Sequence, residues 1–240
     1  LPGFNLIEEK PGVTLYSNER SFIQSVDLSS GAAIKLLYGD SNLQGKTPVF
    51  KTQSNAEAWT SFKAKNDRAF SLVNGQFFDK DESETQLSYH VKVDGKVISL
   101  GNNFGDDKYL KTIEIFSDKA SITKFNRGDF ENSILPAQNA IAGFNSNLGT
   151  ADGDSKTFLG VKDSDFRDGN ETILIFSTAG NFFGEKDNAK QLLEKFGAQD
   201  IIIMDSGGSP FLQTQQKQYV SVKNRKVPQT TGVIESSSFT

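Results

Sequence analysis

The sequence predicts an α+β fold of mixed, largely antiparallel β-sheets with a few flanking helices, arranged as one domain over 1–240. Three observations lead there. Short apolar, β-branched and aromatic runs recur along all 240 residues; glycine-containing turn pairs separate many of them; and only two segments show helical periodicity.

From the N-terminus, 13–16 and 32–37 read as the first strands. Ser54 and Glu57 then have capping-box spacing, and Ala58, Trp59 and Phe62 supply one apolar face, so a helix begins at Ser54 and leads into a strand at 70–73. Strands at 89–93 and 111–116 follow, with turns at Asp94-Gly95, Arg127-Gly128 and Asp152-Gly153. Strands 157–161 and 172–176 flank the turn Asp168-Gly169. A second helix covers about 185–196, with Ala189, Leu192, Leu193 and Phe196 along one face and Gly197 as its stop. Strands at 201–204 and 219–222 complete the series. Evenly spread turn residues mark no domain boundary.

Composition narrows the function. With 26 basic and 30 acidic residues the net charge is −4, and the basic residues form no stripe, which argues against a nucleic-acid partner. No run approaches the ~20 apolar residues of a spanning helix, so membrane insertion is not expected. There is no cysteine, hence no disulfide, thiolate metal site or thiol nucleophile. Twenty phenylalanines against one methionine imply a core filled with aromatic rings. The chain opens Leu1-Pro2 without methionine, which fits either a trimmed chain or a mature protein whose export signal has been removed.

Two strand ends stand out. Residues 201–204 are continuously apolar, as in a strand covered on both faces, and Asp205 sits where that strand leaves the core. Gly207 and Gly208 permit positive φ and, with Ser209, present backbone N–H groups suited to an anion. A tight turn capped by its own Asp explains the same residues. Strand 70–73 likewise runs into Asn74-Gly75-Gln76-Phe77-Phe78, where Asn-Gly alone would signal a hairpin turn.

These segments resemble those of the phosphodiester glycosidases, which carry Asn-Gly-Gly-Phe-Phe and, later, Asp-Gly-Gly-Gly-Ser-Ser. Here Asn74-Gly75-Gln76-Phe77-Phe78 and Asp205-Ser206-Gly207-Gly208-Ser209-Pro210 occupy those places in the same order. Gln138-Asn139-Ala140-Ile141-Ala142-Gly143 is similar to the family's Asn-Ala-Ile-Gly-Gly. Lys156-Thr157-Phe158-Leu159-Gly160-Val161 is similar to its Arg-Thr-Ala-Ile-Gly, and Asn224-Arg225-Lys226-Val227-Pro228 to its closing Arg-x-Val-Pro. The resemblance covers roughly 70–233. Gln76 and Ser206 replace glycines, Pro210 replaces Ser or Thr, and Lys156 replaces Arg.

The resemblance implies hydrolysis of a sugar-1-phosphodiester at the glycosidic carbon, with free sugar and a phosphate monoester as products. It also implies a sugar phosphodiester or glycan substrate, such as an N-acetylglucosamine-bearing, cell-envelope or exopolysaccharide material, and an extracytoplasmic location. Asp205 would stabilise the oxocarbenium-like transition state as nucleophile, base or electrostatic partner. Lys156 would neutralise the phosphate, Asn74 would bond a sugar hydroxyl or phosphate oxygen, and the Gly207, Gly208 and Ser209 amides would cradle an anionic oxygen. Gln76 and Asn139 count as further substrate-binding candidates, with Gln76 narrowing the pocket.

His90, the single histidine, is a secondary acid–base candidate because its ordinary pKa suits proton transfer near neutrality. No cofactor is required by this reading, although Asp79 and Asp81, with Glu82 and Glu84, offer oxygen ligands for a divalent cation such as Ca²⁺. A solvated acidic loop accounts for them equally. Two alternatives follow: a carbohydrate- or nucleotide-sugar-binding module whose catalysis Gln76 and Ser206 have blocked, and a structural domain in which Asp205 and Asn74 lie far apart.

Overall fold

A computed structural model describes residues 3–18, 21–45, 47–103, 106–147, 155–164, 169–178 and 186–237. In chain order its elements are β1 (Asn5–Lys10), β2 (Val13–Asn18), β3 (Ser21–Asp27), β4 (Ala33–Tyr38), β5 (Val49–Lys51), α1 (Asn55–Lys65), β6 (Ala69–Asn74), β7 (Glu84–Gln86), β8 (His90–Val93) and β9 (Lys96–Leu100). They continue with β10 (Leu110–Ile115), β11 (Ala120–Lys124), α2 (Arg127–Glu131), β12 (Asn139–Asn145), β13 (Thr157–Lys162), β14 (Thr172–Thr178), α3 (Lys186–Lys195), β15 (Asp200–Ile203), β16 (Phe211–Thr214), β17 (Gln218–Ser221) and β18 (Gln229–Ile234).

An eleven-stranded sheet follows the order β1-β2-β3-β14-β13-β15-β12-β10-β11, with β8 also on β12 and β9 on β8. A five-stranded sheet, β17-β16-β6-β18-β4, packs against it, and β5-β7 form a small ribbon. The strand pairs are antiparallel throughout the described residues, which tightens the expectation of a mixed sheet. Between the two sheets lies one apolar layer, to which the large sheet gives Leu15, Ile141, Leu159, Ile175, Ile202 and Met204 and the smaller gives Ile34, Val73, Leu212 and Val233.

Helices cover the outer faces. The expected capping box forms: Glu57 N donates to Ser54 Oγ at 3.3 Å and Ser54 N to Glu57 Oε2 at 2.8 Å. From that start α1 lays Ala58 and Phe62 on Ala69, Leu72 and Phe211 of the smaller sheet. Gly232 makes room for this helix, because a Cβ there would stand 2.6 Å from the Phe62 ring. On the large sheet, Ala189 and Leu193 of α3 pack on Phe158, Leu174, Phe176, Ile201 and Ile203. Gly197, at φ +98°, ends α3 by donating to Glu194 O at 2.9 Å, as its sequence position predicts.

This layering explains the continuous apolar run at 201–204. Sandwiched between β12 and β13, β15 sends Ile201 and Ile203 toward α3, while Ile202 and Met204 enter the inter-sheet core. One expected turn is corrected: Arg127-Gly128 opens α2, because Asn126 Oδ1 accepts from Gly128 N at 3.0 Å and Phe130 is buried beneath. Asp152-Gly153, Asp168 and the expected helix start at 185 lie outside the described residues.

Candidate active site

The strand-end motifs meet where the two sheets converge. Asn74, the last residue of β6, donates from Nδ2 to the Asp205 carbonyl at 2.7 Å and accepts at Oδ1 from Thr157 Oγ1 at 2.6 Å. Asp205 N returns a bond to Gly75 O at 3.0 Å, Met204 N reaches Thr157 O at 2.9 Å, and Gly207 N reaches Ser155 O at 3.0 Å. Segments 131 residues apart are thereby stitched into one knot. The structural-domain alternative expected Asn74 and Asp205 to lie far apart; instead the two are in direct contact. Asn74 holds the Asp205 backbone in place, with both ends of its amide engaged.

The paired phenylalanines of the first motif diverge. Phe77 packs on the large-sheet side against Phe144 and Tyr89, at centroid distances of 4.9 and 5.9 Å, whereas Phe78 joins the cluster over the smaller sheet. Consecutive residues thus anchor the loop to both sheets. Gly75 is needed because Gln229 fills the space beside it: a Cβ at position 75 would lie 1.8 Å from Gln229 Oε1. That same oxygen accepts from Gln76 N at 2.7 Å. Gly75→Ala is therefore expected to displace Gln229, break this bond and destabilise the fold by roughly 2–3 kcal/mol, with the loss read from chemical denaturation.

Asp205 is 8% exposed. Its Oδ1 accepts from Ser206 N at 2.9 Å, while Oδ2 is buried without a hydrogen-bond partner. Burial pushes its pKa up to about 6, with the Ser209 hydroxyl, the Arg225 guanidinium and the Ser206 N–H pulling the other way. A carboxylate held at the edge of ionisation near neutrality, with one oxygen unspent, is a candidate for chemistry.

Arg225 is the residue that sequence reasoning left without a role, although its Arg-x-Val-Pro setting marked it. Its guanidinium carbon stacks 4.4 Å from the Phe78 ring centroid, Nη1 donates to Ser209 Oγ at 3.2 Å, and Nε lies 3.3 Å from Asp81 Oδ2. It brings a forked cation to the Asp205–Ser209 side of the knot. Lys156 precedes β13 beside Thr157, with its side chain fully buried and its carbonyl accepting from Thr178 N at 3.1 Å.

Other expected residues fall differently. Gly207 has positive φ, +72°, but its N–H is committed to Ser155, so the proposed cradle of three free amides shrinks. Gln76 does not project into open space: Nε2 donates to Ala142 O at 2.6 Å and Oε1 accepts from Phe77 N at 2.8 Å. Ser206 Oγ turns back to Met204 O at 3.1 Å. Both replacements for glycine are absorbed by backbone carbonyls, that of Ala142 for Gln76 and that of Met204 for Ser206.

Asn139 stands at the start of β12, about 17 Å along the strand from Phe144, where its Oδ1 accepts from Asp94 N at 3.1 Å and braces the β8–β9 turn. His90 is a core residue, with its ring 4.9 Å from Phe125 and 5.1 Å from Phe130. Burial, reinforced by Arg127, drives its pKa down to about 4. Asp79 and Asp81 lie on an exposed loop, and Asp81 pairs with Arg225; among the described residues no group of three or more His, Asp or Glu gathers as metal ligands would.

At the level of sequence, no family model matches the chain, and neither does any curated protein. Solved structures do match. The catalytic domain of zebrafish N-acetylglucosamine-1-phosphodiester alpha-N-acetylglucosaminidase, auto-inhibited by its pro-peptide, aligns with a TM-score of 0.61 at 13% identity, over 98% of this chain and 84% of that one. A hypothetical protein from Synechocystis aligns at 0.57 and 10% identity, over 98% of this chain and 64% of that one. A protein from Burkholderia pseudomallei described as a putative exported protein aligns at 0.53 and 10% identity, over 92% and 74%. At such identities the likeness is one of architecture, and the chain has the fold on which a phosphodiester glycosidase catalytic domain is built.

Proposed function

We propose that the protein is a glycosidase that cleaves a sugar-1-phosphodiester at the glycosidic carbon. The observation that carries the proposal is Asp205: a buried carboxylate with one unpartnered oxygen, pKa raised to about 6, held beside Arg225 and Ser209 on a fold that a phosphodiester glycosidase shares. As the bond between C1 and the phosphate oxygen breaks, positive charge grows on the sugar ring and negative charge on the departing phosphate. Ionised Asp205 faces the first and Arg225 the second. Water then adds its hydroxyl to C1, and its proton leaves through the carboxylate. A phosphate monoester departs as a stable anion, so no strong general acid is required.

The side chains of Gln76 and Ser206 turn into the backbone, which favours turnover over the binding-module alternative. No helix among the described residues is long and apolar enough to cross a membrane. Extracytoplasmic action on cell-envelope or exopolysaccharide phosphodiesters is part of the same proposal, consistent with the exported description of one structural neighbour.

The test is incubation of the protein and its Asp205→Asn variant with sugar-1-phosphodiesters, nucleotide-sugars included, following free sugar with and without divalent ions. Wild-type release that rises with pH through about 6, and falls roughly 10²–10³-fold in the variant, is the expected result. Ligand binding by both proteins without release would favour the binding module instead. Dependence on added divalent ions would bring Asp79 and Asp81 into the mechanism.

A further inference from the structure

Arg225 is gripped from three sides, and one of those grips is another anion. Phe78 supports the guanidinium face at 4.4 Å, Ser209 takes Nη1 at 3.2 Å, and Asp81 Oδ2 lies 3.3 Å from Nε. The Asp81 contact is an ion pair without hydrogen-bond geometry, since Nε has no hydrogen-bond partner. The Asp81 side chain is 65% exposed, so it touches Arg225 from the solvent side while Asp205 acts on the same cation from the interior. The Asp81 carboxylate thus offsets part of the positive field that the guanidinium presents toward solvent.

We propose that Asp81 is a specificity residue that biases the site toward singly charged phosphodiesters and against doubly charged phosphomonoesters. The inference rests on reading the Arg225 side as the phosphate end of the site. A diester carries one negative charge, whereas the monoester released by its hydrolysis carries close to two above its second pKa, near 6. Coulomb repulsion from Asp81 scales with ligand charge, so whatever factor it costs the diester, it costs the monoester that factor squared. For a half-solvated carboxylate a factor of about two is reasonable, making the monoester penalty about fourfold. Asp81 thus helps expel the product while tolerating the substrate.

The experiment uses two small ions that a glycosidase does not consume, dimethyl phosphate (one charge) and methyl phosphate (two charges at pH 8). Each is titrated into the full chain by NMR at low ionic strength. Asp81→Asn is expected to tighten dimethyl phosphate about twofold and methyl phosphate about fourfold, and Arg225→Gln to abolish both interactions. If Asp81 serves only to hold Arg225 in place, the Asn variant weakens both ions, and the proposal falls. Equal changes for the two ions, binding that survives Arg225→Gln, or no binding to the wild type would each overturn it as well. Because no turnover is measured, the squared pattern in a protein that cleaves no sugar phosphodiester would retire the glycosidase reading and keep the charge rule.

Discussion

Asp205→Asn is expected to make the protein more stable at pH 8 while removing the proposed hydrolytic activity. The folded carboxyl holds its proton up to about pH 6, against an ordinary 3.8, because burial disfavours its charge. A raised carboxyl pKa means that the folded state binds the proton more tightly than the unfolded chain. The contribution of Asp205 to stability is then greatest below about pH 4 and declines as pH climbs through 6. The difference of about two pKa units corresponds to about 3 kcal/mol, or roughly 6–12 °C in Tm for a chain of this size. Asparagine keeps an Oδ1 acceptor for Ser206 N and carries no charge to bury. Melting curves of the two proteins should therefore separate at pH 8 and converge near pH 4. Curves that stay parallel across that range would show that Asp205 is not buried as a charge.

His90→Leu is expected to act in the opposite direction. Its imidazole is buried between Phe125 and Phe130, with neither nitrogen hydrogen-bonded, and its pKa is driven from 6.5 to about 4 by burial first and Arg127 second, opposed by Asp107. Here the unfolded chain takes up the proton first, so stability is full above pH 6.5 and is lost as pH falls toward 4. The loss is again about 3 kcal/mol. The two groups titrate over nearly the same window with opposite signs, so in the wild type their contributions largely cancel. Removing either one uncovers the other: Asp205→Asn should lose stability steeply on acidification, His90→Leu should gain it, and the double variant should return to the wild-type slope. Chemical denaturation at pH 7.5, 5.5 and 4.5 reads all three, and superimposable profiles for His90→Leu and the wild type would refute the buried neutral imidazole.

The nine strands expected from apolar runs all form, as do both expected helices, because each signal is local. Alternation, a capping box and a glycine stop act within a few residues of where they are written. Some strands outside that series carry such marks, as β3 (Ser21–Asp27) and β9 (Lys96–Leu100) do with their β-branched and apolar residues, but β12 does not. In β12 (Asn139–Asn145), Ala140, Ala142 and Gly143 have little strand propensity, yet the strand is held by β10, β8 and β15 around it. Gly143 owes its place to that crowding, since a Cβ there would lie 2.7 Å from Ile203 O.

The candidate site divides in the same way. A carboxylate at the tip of a strand buried on both faces was legible in Ile201-Ile202-Ile203-Met204-Asp205, and so was a polar tip at Asn74. Which polar atoms are spent and which remain for chemistry was not legible. Asn74 is consumed by Asp205 and Thr157, Gln76 by Ala142, and the Gly207 N–H by Ser155, all through partners remote in sequence. Arg225, one of 26 basic residues, becomes the guanidinium beside Asp205 only when β6, β15 and the segment before β18 converge. By itself the sequence determined the strand-rich class, the helix ends and the two polar strand tips, since these depend on short-range sterics and the periodicity of burial. Tertiary structure alone decided that Asp205 keeps a free oxygen and a raised pKa, that Arg225 comes within its electrostatic reach, and that His90 belongs to the core, because desolvation and hydrogen-bond satisfaction are set by neighbours that the chain brings together only on folding.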